Sequence, residues 1–243
     1  SVGGFSAAPA SFASLSMFIP LFIHEQNAVE GRLNSLLKPF SKRFISAYDK
    51  NSPIQGYPVG DEFFKKSRLR QKIKSVIFLG GSQGAKAIND LALSVAKELQ
   101  KKGIAIIHQA GESDFKRVKE EYEKLHVEAE LYAFTNDMPS LMSKADLAVS
   151  RSGASTLWEL CANALPAFFI PFPFAAGDHQ YHNAKFILEN DLGWCQREGS
   201  DLKTSLLDIL NEDLQVKSEK LLNYSKKDVA KKMILDAYEI VNA

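Results

Sequence analysis

The sequence has little cysteine, almost no net charge and no long apolar run, and each shortage excludes a class of protein. Cys161 and Cys195 are the only cysteines in 243 residues, which is too few for a disulfide framework and favours a reducing compartment. A net charge of +1 leaves no overall electrostatic footprint for nucleic acid. The apolar runs are shorter than the roughly 20 residues of a membrane-spanning helix. We therefore expect neither a nucleic-acid partner nor a membrane span.

Two phosphate-binding motifs and one metal-binding motif are also missing. The glycine loop at 80–85 lacks the Lys-Ser/Thr pair of a Walker loop and the G-x-G-x-x-G spacing of a dinucleotide site. No Asp-x-Asp occurs, and His179 and His182 share a helix face without a cysteine or acidic partner at metal-ligand spacing. We predict a site with no metal and no cofactor, in which helix ends meet phosphate charge.

What the chain does contain is a regular alternation of short apolar runs and amphipathic segments. The predicted strands are residues 20–23, 43–47, 75–79, 104–109, 145–149, 167–170 and 193–195, with another ending at 134, and the predicted helices are 7–15, 28–37, 86–102, 112–124, 139–144 and 177–188. Asn27 is predicted to cap the helix over 28–37. Strands that alternate with helices indicate an α/β fold with a parallel sheet and right-handed crossovers.

The most informative stretch runs from Ser150 to Glu159, directly after a predicted buried strand. Gly153 permits a tight turn, and Ser155 or Thr156 is predicted to cap the helix that follows. This geometry directs free backbone N–H groups into the crevice where parallel sheets bind ligands. About one turn into the helix, the Glu159 carboxylate either accepts hydrogen bonds from a ribose or only complements the helix dipole.

Polar residues gather at three further strand ends. In the glycine loop, Ser82 and Gln83 offer side chains to an anion or a sugar hydroxyl, although such loops are structural as often as functional. Gln180 and Asn183 are three residues apart on one helix face and suit the hydroxyls of a sugar. Residues 24–27 either form caps and turns or make one wall of a cleft. Together these turns predict a sugar-nucleotide site at the carboxyl ends of the strands.

Taken together, the motifs resemble those of the MurG family, bacterial peptidoglycan glycosyltransferases of the GT-B fold. The matching segments are 3–5, 24–27, 80–85, 150–154 with Glu159, 170–173, and 178–180 with 183–184. The resemblance implies two Rossmann-like parallel-sheet domains that face a cleft, the N-terminal one incomplete. It implies residues 1–60 as the remainder of the N-terminal acceptor and membrane-side domain, 61–227 as the UDP-GlcNAc-binding domain, and 228–243 as a helix able to pack back on the first.

The activity that the resemblance implies is an inverting transfer of GlcNAc from UDP-GlcNAc to the muramoyl 4-hydroxyl of lipid I, which yields lipid II in peptidoglycan synthesis. The implied partners are UDP-GlcNAc, lipid I and, by peripheral contact, the cytoplasmic face of the bacterial inner membrane. Residues that could contribute to this contact are Phe40, Lys42, Arg43, Phe63, Phe64 and Lys65. Two alternatives stay open: a non-catalytic sugar-nucleotide-binding module, and a UDP-GlcNAc epimerase of the same architecture.

The resemblance also assigns each site residue to one part of the donor. The predicted substrate-binding residues are Glu159 for the ribose, Thr135 after Phe134 for uracil, Ser82, Gln83 and the segment of Ala154, Ser155, Thr156, Leu157 and Trp158 for the diphosphate, Gln180 and Asn183 for GlcNAc, and Asn27 from the other domain.

Two departures from the family pattern bear on catalysis. The family's candidate general base is a histidine in a glycine-rich loop expected before Ser1, so the catalytic residue is unassigned here and His24 is the candidate within the chain. After Pro58 and Val59 the family usually carries an arginine that reaches the diphosphate, whereas Gly60 stands here. We expect the 243-residue chain to bind UDP-GlcNAc but to transfer no sugar by itself.

Overall fold

The computed structural model describes residues 1–81, 84–199 and 201–242. The strands are β1 (Phe22–Glu25), β2 (Arg43–Ser46), β3 (Ser75–Leu79), β4 (Ala105–Gln109), β5 (Glu130–Tyr132), β6 (Leu147–Ser150), β7 (Ala167–Phe169) and β8 (Trp194–Cys195). The helices are α1 (Ala8–Ser16), α2 (Arg32–Leu37), α3 (Asp61–Lys65), α4 (Lys86–Lys101), α5 (Phe115–Leu125), α6 (Met138–Lys144), α7 (Ala154–Ala162), α8 (His179–Glu189), α9 (Leu202–Ile209), α10 (Gln215–Tyr224) and α11 (Val229–Asn242). The predicted α/β alternation is confirmed.

Among the described residues all strand pairs are parallel, and the strands form two sheets. In the smaller sheet β1 pairs with β2, and Ile23 lies opposite Phe44. The larger sheet has the order β5-β4-β3-β6-β7-β8. From β3 the chain builds outward to one edge, returns to β6 and builds outward to the other edge. The carboxyl ends of β3 and β6 therefore flank a topological switch point, where open α/β sheets bind ligands.

Both faces of the larger sheet are buried, which explains the apolar character of its central strands. Along β3, Val76 and Phe78 face one core, which α4, α5 and α9 cover. Ile77 and Leu79 face the other core, which α6, α7 and α8 cover. Register within the sheet sets Leu79 opposite Ser150, so the last residues of β3 and β6 lie side by side.

One predicted helix start is wrong. The helix predicted from residue 28 begins at Arg32, with Gly31 as its N-cap, and Asn27 caps nothing. The reason is the buried Glu25 carboxylate, which accepts hydrogen bonds from the Asn27 N–H at 3.0 Å, the Gly31 N–H at 2.9 Å and Asn34 Nδ2 at 2.8 Å. These bonds bend residues 27–31 into a loop around the carboxylate.

The last helix packs against the smaller sheet. An ion pair joins Arg43 Nε to Asp236 Oδ2 at 3.0 Å, beside an apolar contact made by Ile45, Ile54, Val229 and Met233. The predicted domain limits at residues 60 and 227 stay predictions. Among the described residues, no helix combines the length and the apolarity that a bilayer span requires.

Candidate functional site

The glycine loop after β3 lies against the end of β4. The Gly80 N–H donates to Gln109 O at 2.8 Å, and a Cβ on Gly80 would stand 2.9 Å from the same oxygen. Gly84 has a φ of +79°, and its Cβ would stand 2.9 Å from Ala110 O. Both positions require glycine because the backbone approaches too closely for a side chain. Ser82 and Gln83 lie outside the described residues, so their assignment to the diphosphate stays a prediction.

A cavity of about 250 Å³ opens between this loop and the start of α7, and we call it the nucleoside cavity. It brings together Glu159, Thr135 and Phe134, which the sequence assigned to the ribose and the uracil. Its lining is Phe63, Leu79, Gly80, Gly81, Gln109, Phe134, Thr135, Met138, Met142, Ser150, Arg151, Thr156 and Glu159. The role of these residues toward a ligand stays a prediction.

Burial raises the pKa of the Glu159 carboxyl. Within the described ranges no hydrogen bond or ion pair reaches this carboxylate. Glu159 is partly buried, and a carboxylate that is partly removed from water without a donor costs free energy, which hydroxyl groups of a ligand would offset. The alternative of a dipole partner is not supported, because α7 begins at Ala154 and its first turn carries no acidic residue.

A second cavity of about 560 Å³ adjoins the first, and we call it the sugar cavity. Gly80 and Arg151 line both cavities. The other lining residues are Gly84, Ala85, Lys86, Ala87, Asp90, Phe172, Pro173, Phe174, Gln180 and Glu198. Gln180 Oε1 accepts a hydrogen bond from the Phe172 N–H at 3.0 Å. This bond orients the Gln180 side chain, which was predicted to bind the sugar, at the cavity wall.

Asn183 is fully buried, and its amide bonds to protein. Its Oδ1 accepts from the Ala28 N–H at 2.8 Å, and its Nδ2 donates to Asn27 Oδ1 and to Ser152 O, each at 3.1 Å. Asn183 therefore joins the loop around Glu25 to the turn after β6, which is how Asn27 reaches the site from the other sheet. Binding of GlcNAc by Asn183 and Asn27 stays a prediction.

The start of α7 departs from the sequence prediction in two ways. The N-cap is Gly153, so neither Ser155 nor Thr156 caps the helix. Gly153 has a φ of −61°, which any residue adopts, and a Cβ there would meet no atom within 4 Å. Glycine at this position therefore leaves open space above the helix end instead of permitting a strained turn.

The predicted diphosphate segment contains both free and engaged groups. Ala154, Ser155 and Thr156 form the first turn, where backbone N–H groups have no helical partner. Leu157 and Trp158 have buried side chains, and the Leu157 N–H donates to Gly153 O at 3.0 Å. Ser155 Oγ lies 3.3 Å from the Tyr57 hydroxyl. The first three N–H groups are thus the ones available to an anion.

His24 lies in β1 with 7% of its surface exposed, and it lines neither cavity. Burial lowers its pKa, although the neighbouring Glu25 carboxylate opposes the shift. Its ring lies 5.4 Å from the Tyr57 ring, and Nε2 has no hydrogen-bond partner within the described residues. The general base stays unassigned.

Two other histidines, His108 and His179, make hydrogen bonds to protein groups. His108 is fully buried, bonds to Tyr122 Oη at 3.0 Å and Asn89 Oδ1 at 2.9 Å, and has a pKa lowered to about 3 by burial. His179 Nδ1 lies 2.7 Å from Ala176 O. In the described part of the chain, no group of three His, Cys, Asp or Glu residues is placed to hold a metal ion.

The sequence analysis missed the ion pair between Arg151 and Glu198 at the sugar cavity. It treated Arg151 only as part of the turn after β6, and Glu198 lies in a charged loop without a motif. It also gave no role to the exposed rings of Phe172 and Phe174, whose centroids lie 5.7 Å apart at the cavity rim. The one signal in the sequence for a role of Arg151 was its position inside the motif at residues 150–154.

Comparisons with known proteins cover both sheets. The model of the glycosyltransferase family 28 C-terminal domain matches residues 75–237, and that of the N-terminal domain matches residues 1–46. The chain is 72% identical over its whole length, which is 72% of the relative, to the UDP-N-acetylglucosamine--N-acetylmuramyl-(pentapeptide) pyrophosphoryl-undecaprenol N-acetylglucosamine transferase of Sulfurimonas denitrificans. It is 58% identical over 233 residues, 96% of this chain and 69% of the relative, to the protein of the same name from Wolinella succinogenes.

A solved structure matches the fold as well. The crystal structure of Acinetobacter baumannii MurG matches with a TM-score of 0.78 and 26% sequence identity. The match covers 96% of this chain and 70% of that one.

Proposed function

We propose a glycosyl-transfer function for this chain, which belongs to glycosyltransferase family 28. The activity is the inverting transfer of N-acetylglucosamine from UDP-GlcNAc to the muramoyl 4-hydroxyl of lipid I, which makes lipid II for peptidoglycan. The names of the 72% and 58% identical relatives support this donor and this type of acceptor. The structural observation that carries the proposal is the pair of adjoining cavities at the switch point between β3 and β6.

In this proposal UDP-GlcNAc lies across both cavities. Glu159 accepts hydrogen bonds from the ribose hydroxyls, and Phe134 and Thr135 contact uracil in the nucleoside cavity. GlcNAc occupies the sugar cavity beside Gln180, and Asn183 and Asn27, which line neither cavity, are the other residues proposed to contact it. The free N–H groups at the start of α7 face the diphosphate between them, where the positive end of the helix dipole favours an anion.

Transfer proceeds by direct displacement. A base removes the proton from the acceptor hydroxyl, and the oxygen of that hydroxyl attacks the anomeric carbon. The bond from the anomeric carbon to the diphosphate oxygen breaks. Negative charge grows on the departing UDP, and the N–H groups of α7 stabilise it more strongly in the transition state than in the bound donor. Attack from the face opposite the leaving group inverts the anomeric carbon.

Donor binding and the fate of the sugar test this function against the epimerase alternative. We expect calorimetry to show binding of UDP-GlcNAc in preference to UDP-glucose. With radiolabelled UDP-GlcNAc and a lipid I analogue, any turnover should place the label in the lipid. Conversion of the donor to an epimer would instead identify an epimerase, and absence of donor binding would contradict the proposal outright.

Contact with the membrane would be peripheral, at the cytoplasmic face of the inner membrane, since the acceptor is lipid-linked. Of the residues predicted to contribute, Phe40 is exposed, whereas Phe64 belongs to the core. Arg43 pairs with Asp236, and Lys65 pairs with Glu62. Flotation with anionic vesicles tests the contact: recovery with the vesicles at low salt and release at high salt would support it, and no recovery at low salt would contradict it.

A further inference from the structure

Arg151 occupies the boundary between the nucleoside cavity and the sugar cavity. It is the one charged residue of the described chain that lines both cavities. A ligand with its nucleoside in one cavity and its sugar in the other must pass Arg151 at the point that joins them. In a nucleoside diphosphate sugar, that joining part is the diphosphate.

The guanidinium of Arg151 is fixed from one side. Its Nη1 donates to Ile170 O at 3.0 Å and to Pro171 O at 3.2 Å, and it forms the ion pair with Glu198 Oε1. Within the described ranges, Nε and Nη2 make no hydrogen bond. The side chain is 18% exposed, so its orientation is set by protein contacts before any ligand arrives. A guanidinium held in this way keeps donors for the bidentate recognition of phosphate.

The other cation at the sugar cavity is arranged differently. Lys86 lies at the start of α4 with its side chain 78% exposed, and its Nζ pairs with Asp90 at 2.5 Å one helical turn further on. Solvent screens such an exposed pair, so Lys86 contributes little to binding an anion inside the cavity. Arg151 is therefore the cation best placed to act on the diphosphate.

Glu198 balances the charge of Arg151 when no ligand is present. The Glu198 side chain is 29% exposed, and apart from the ion pair its Oε1 has no hydrogen-bond partner in the described part of the chain. A partly buried cation without an anion beside it would cost free energy. A diphosphate placed next to a carboxylate that has no cation of its own would also cost free energy, because the two negative charges repel each other. The two anions therefore compete for one guanidinium.

We propose that Arg151 binds the donor diphosphate through its free N–H groups, and that Glu198 neutralises Arg151 until the donor displaces it. This inference rests on the proposed function, because it takes UDP-GlcNAc as the ligand. It makes Glu198 a competitor of the donor.

The test separates the diphosphate from the rest of the ligand. Calorimetry measures UDP-GlcNAc and UDP, and competition measures uridine, for the wild type and for Arg151→Gln, Arg151→Lys and Glu198→Gln. Arg68→Gln is the matched control, because Arg68 also pairs with an aspartate, Asp146, and neither of these residues lines either cavity. Circular dichroism checks that each variant is folded.

We expect Arg151→Gln to weaken UDP and UDP-GlcNAc about 10- to 100-fold and to change uridine affinity less than about twofold. Arg151→Lys should fall between, since lysine keeps the charge without the planar fork. The salt dependence of UDP binding should flatten in Arg151→Gln. Glu198→Gln should strengthen UDP binding about two- to fivefold at low salt.

Equal losses of UDP and uridine in Arg151→Gln would overturn the inference, because the arginine would then only shape the site. Unchanged UDP affinity in that variant, or weaker UDP binding in Glu198→Gln, would overturn it as well. Failure of the proposed function looks different: the wild type itself would not bind UDP-GlcNAc.

Discussion

Glu159 is a partly buried carboxylate beside an open cavity, and that combination separates its effect on folding from its effect on binding. Burial raises its pKa, so the ionised side chain costs folding free energy at every pH above the raised value. No described residue offsets that cost by donating a hydrogen bond to the carboxylate. The ribose of a bound donor would offset this free-energy cost, because each hydroxyl that donates to the carboxylate replaces a lost hydrogen bond to water.

We expect Glu159→Gln to weaken UDP-GlcNAc binding by about 1–3 kcal/mol, since a neutral amide oxygen accepts hydrogen bonds less strongly than a carboxylate. Thermal unfolding of the same variant at neutral pH should show an unchanged or higher Tm, because a partly buried charge is removed. Glu189→Gln, at an exposed site of α8, is the control and should change neither quantity. A lower Tm with unchanged affinity would make Glu159 a structural residue.

The affinity for UDP-GlcNAc should also depend on pH. In the proposed complex the ionised form of Glu159 accepts the ribose hydroxyls. Because burial raises the pKa of this carboxyl, affinity should fall as the pH is lowered from neutral through the raised pKa. Calorimetry across this range should show the decline in the wild type and a flatter profile in Glu159→Gln. The same decline in both proteins would assign the titration to another group.

At the scale of elements, the loop 27–31 connects the smaller sheet to the site. Glu25 holds the loop by accepting hydrogen bonds from Asn27, Gly31 and Asn34, and the loop in turn presents Asn27 and the Ala28 N–H to Asn183. The position of α8 relative to β1 therefore depends on one buried carboxylate that touches neither cavity.

We expect Glu25→Gln to lower the free energy of unfolding by about 1–3 kcal/mol, because an amide N–H₂ would face N–H donors in a buried place. UDP-GlcNAc affinity should fall with it, as Asn27 and Ala28 lose their fixed position. Urea titration and calorimetry measure the two effects. Glu30→Gln, in the same loop but exposed and paired with Lys38, should stay within about 0.5 kcal/mol of the wild type. Equal effects of the two variants would remove the special role of Glu25.

At the scale of the whole molecule, the diphosphate charge would be met by protein groups. The first turn of α7 and the guanidinium of Arg151 lie at the same switch point, at the carboxyl ends of β3 and β6. Helix ends and arginine bind phosphate without a metal bridge.

We therefore expect the dissociation constant of UDP-GlcNAc to be the same in EDTA and in added Mg²⁺, within about twofold. Calorimetry in the two buffers measures it, with equal ionic strength so that screening does not differ. Loss of binding in EDTA, restored by Mg²⁺, would show that a metal carries the diphosphate.

Much of the fold and the outline of the site could be read from local sequence. The apolar runs that became β3, β4 and β6 and the helical periodicity of α4 determined a parallel α/β sheet, since burial on both faces demands continuous apolar strands. The glycine loop and the segment after β6 marked the switch point, because turns at the carboxyl ends of parallel strands meet at one edge.

Only the tertiary structure decided which side chains meet there. Glu198 reaches Arg151, and Asn183 reaches Asn27 and Ala28, although no local pattern in the sequence links these residues to one another. Asn27 looked like a helix cap because capping depends on local spacing, but the buried Glu25 carboxylate accepts hydrogen bonds from the Asn27 and Gly31 N–H groups and holds residues 27–31 in a loop. Local sequence determines the periodicity of strands and helices, whereas the partner of a polar group is set by what the packed sheet brings within hydrogen-bond distance.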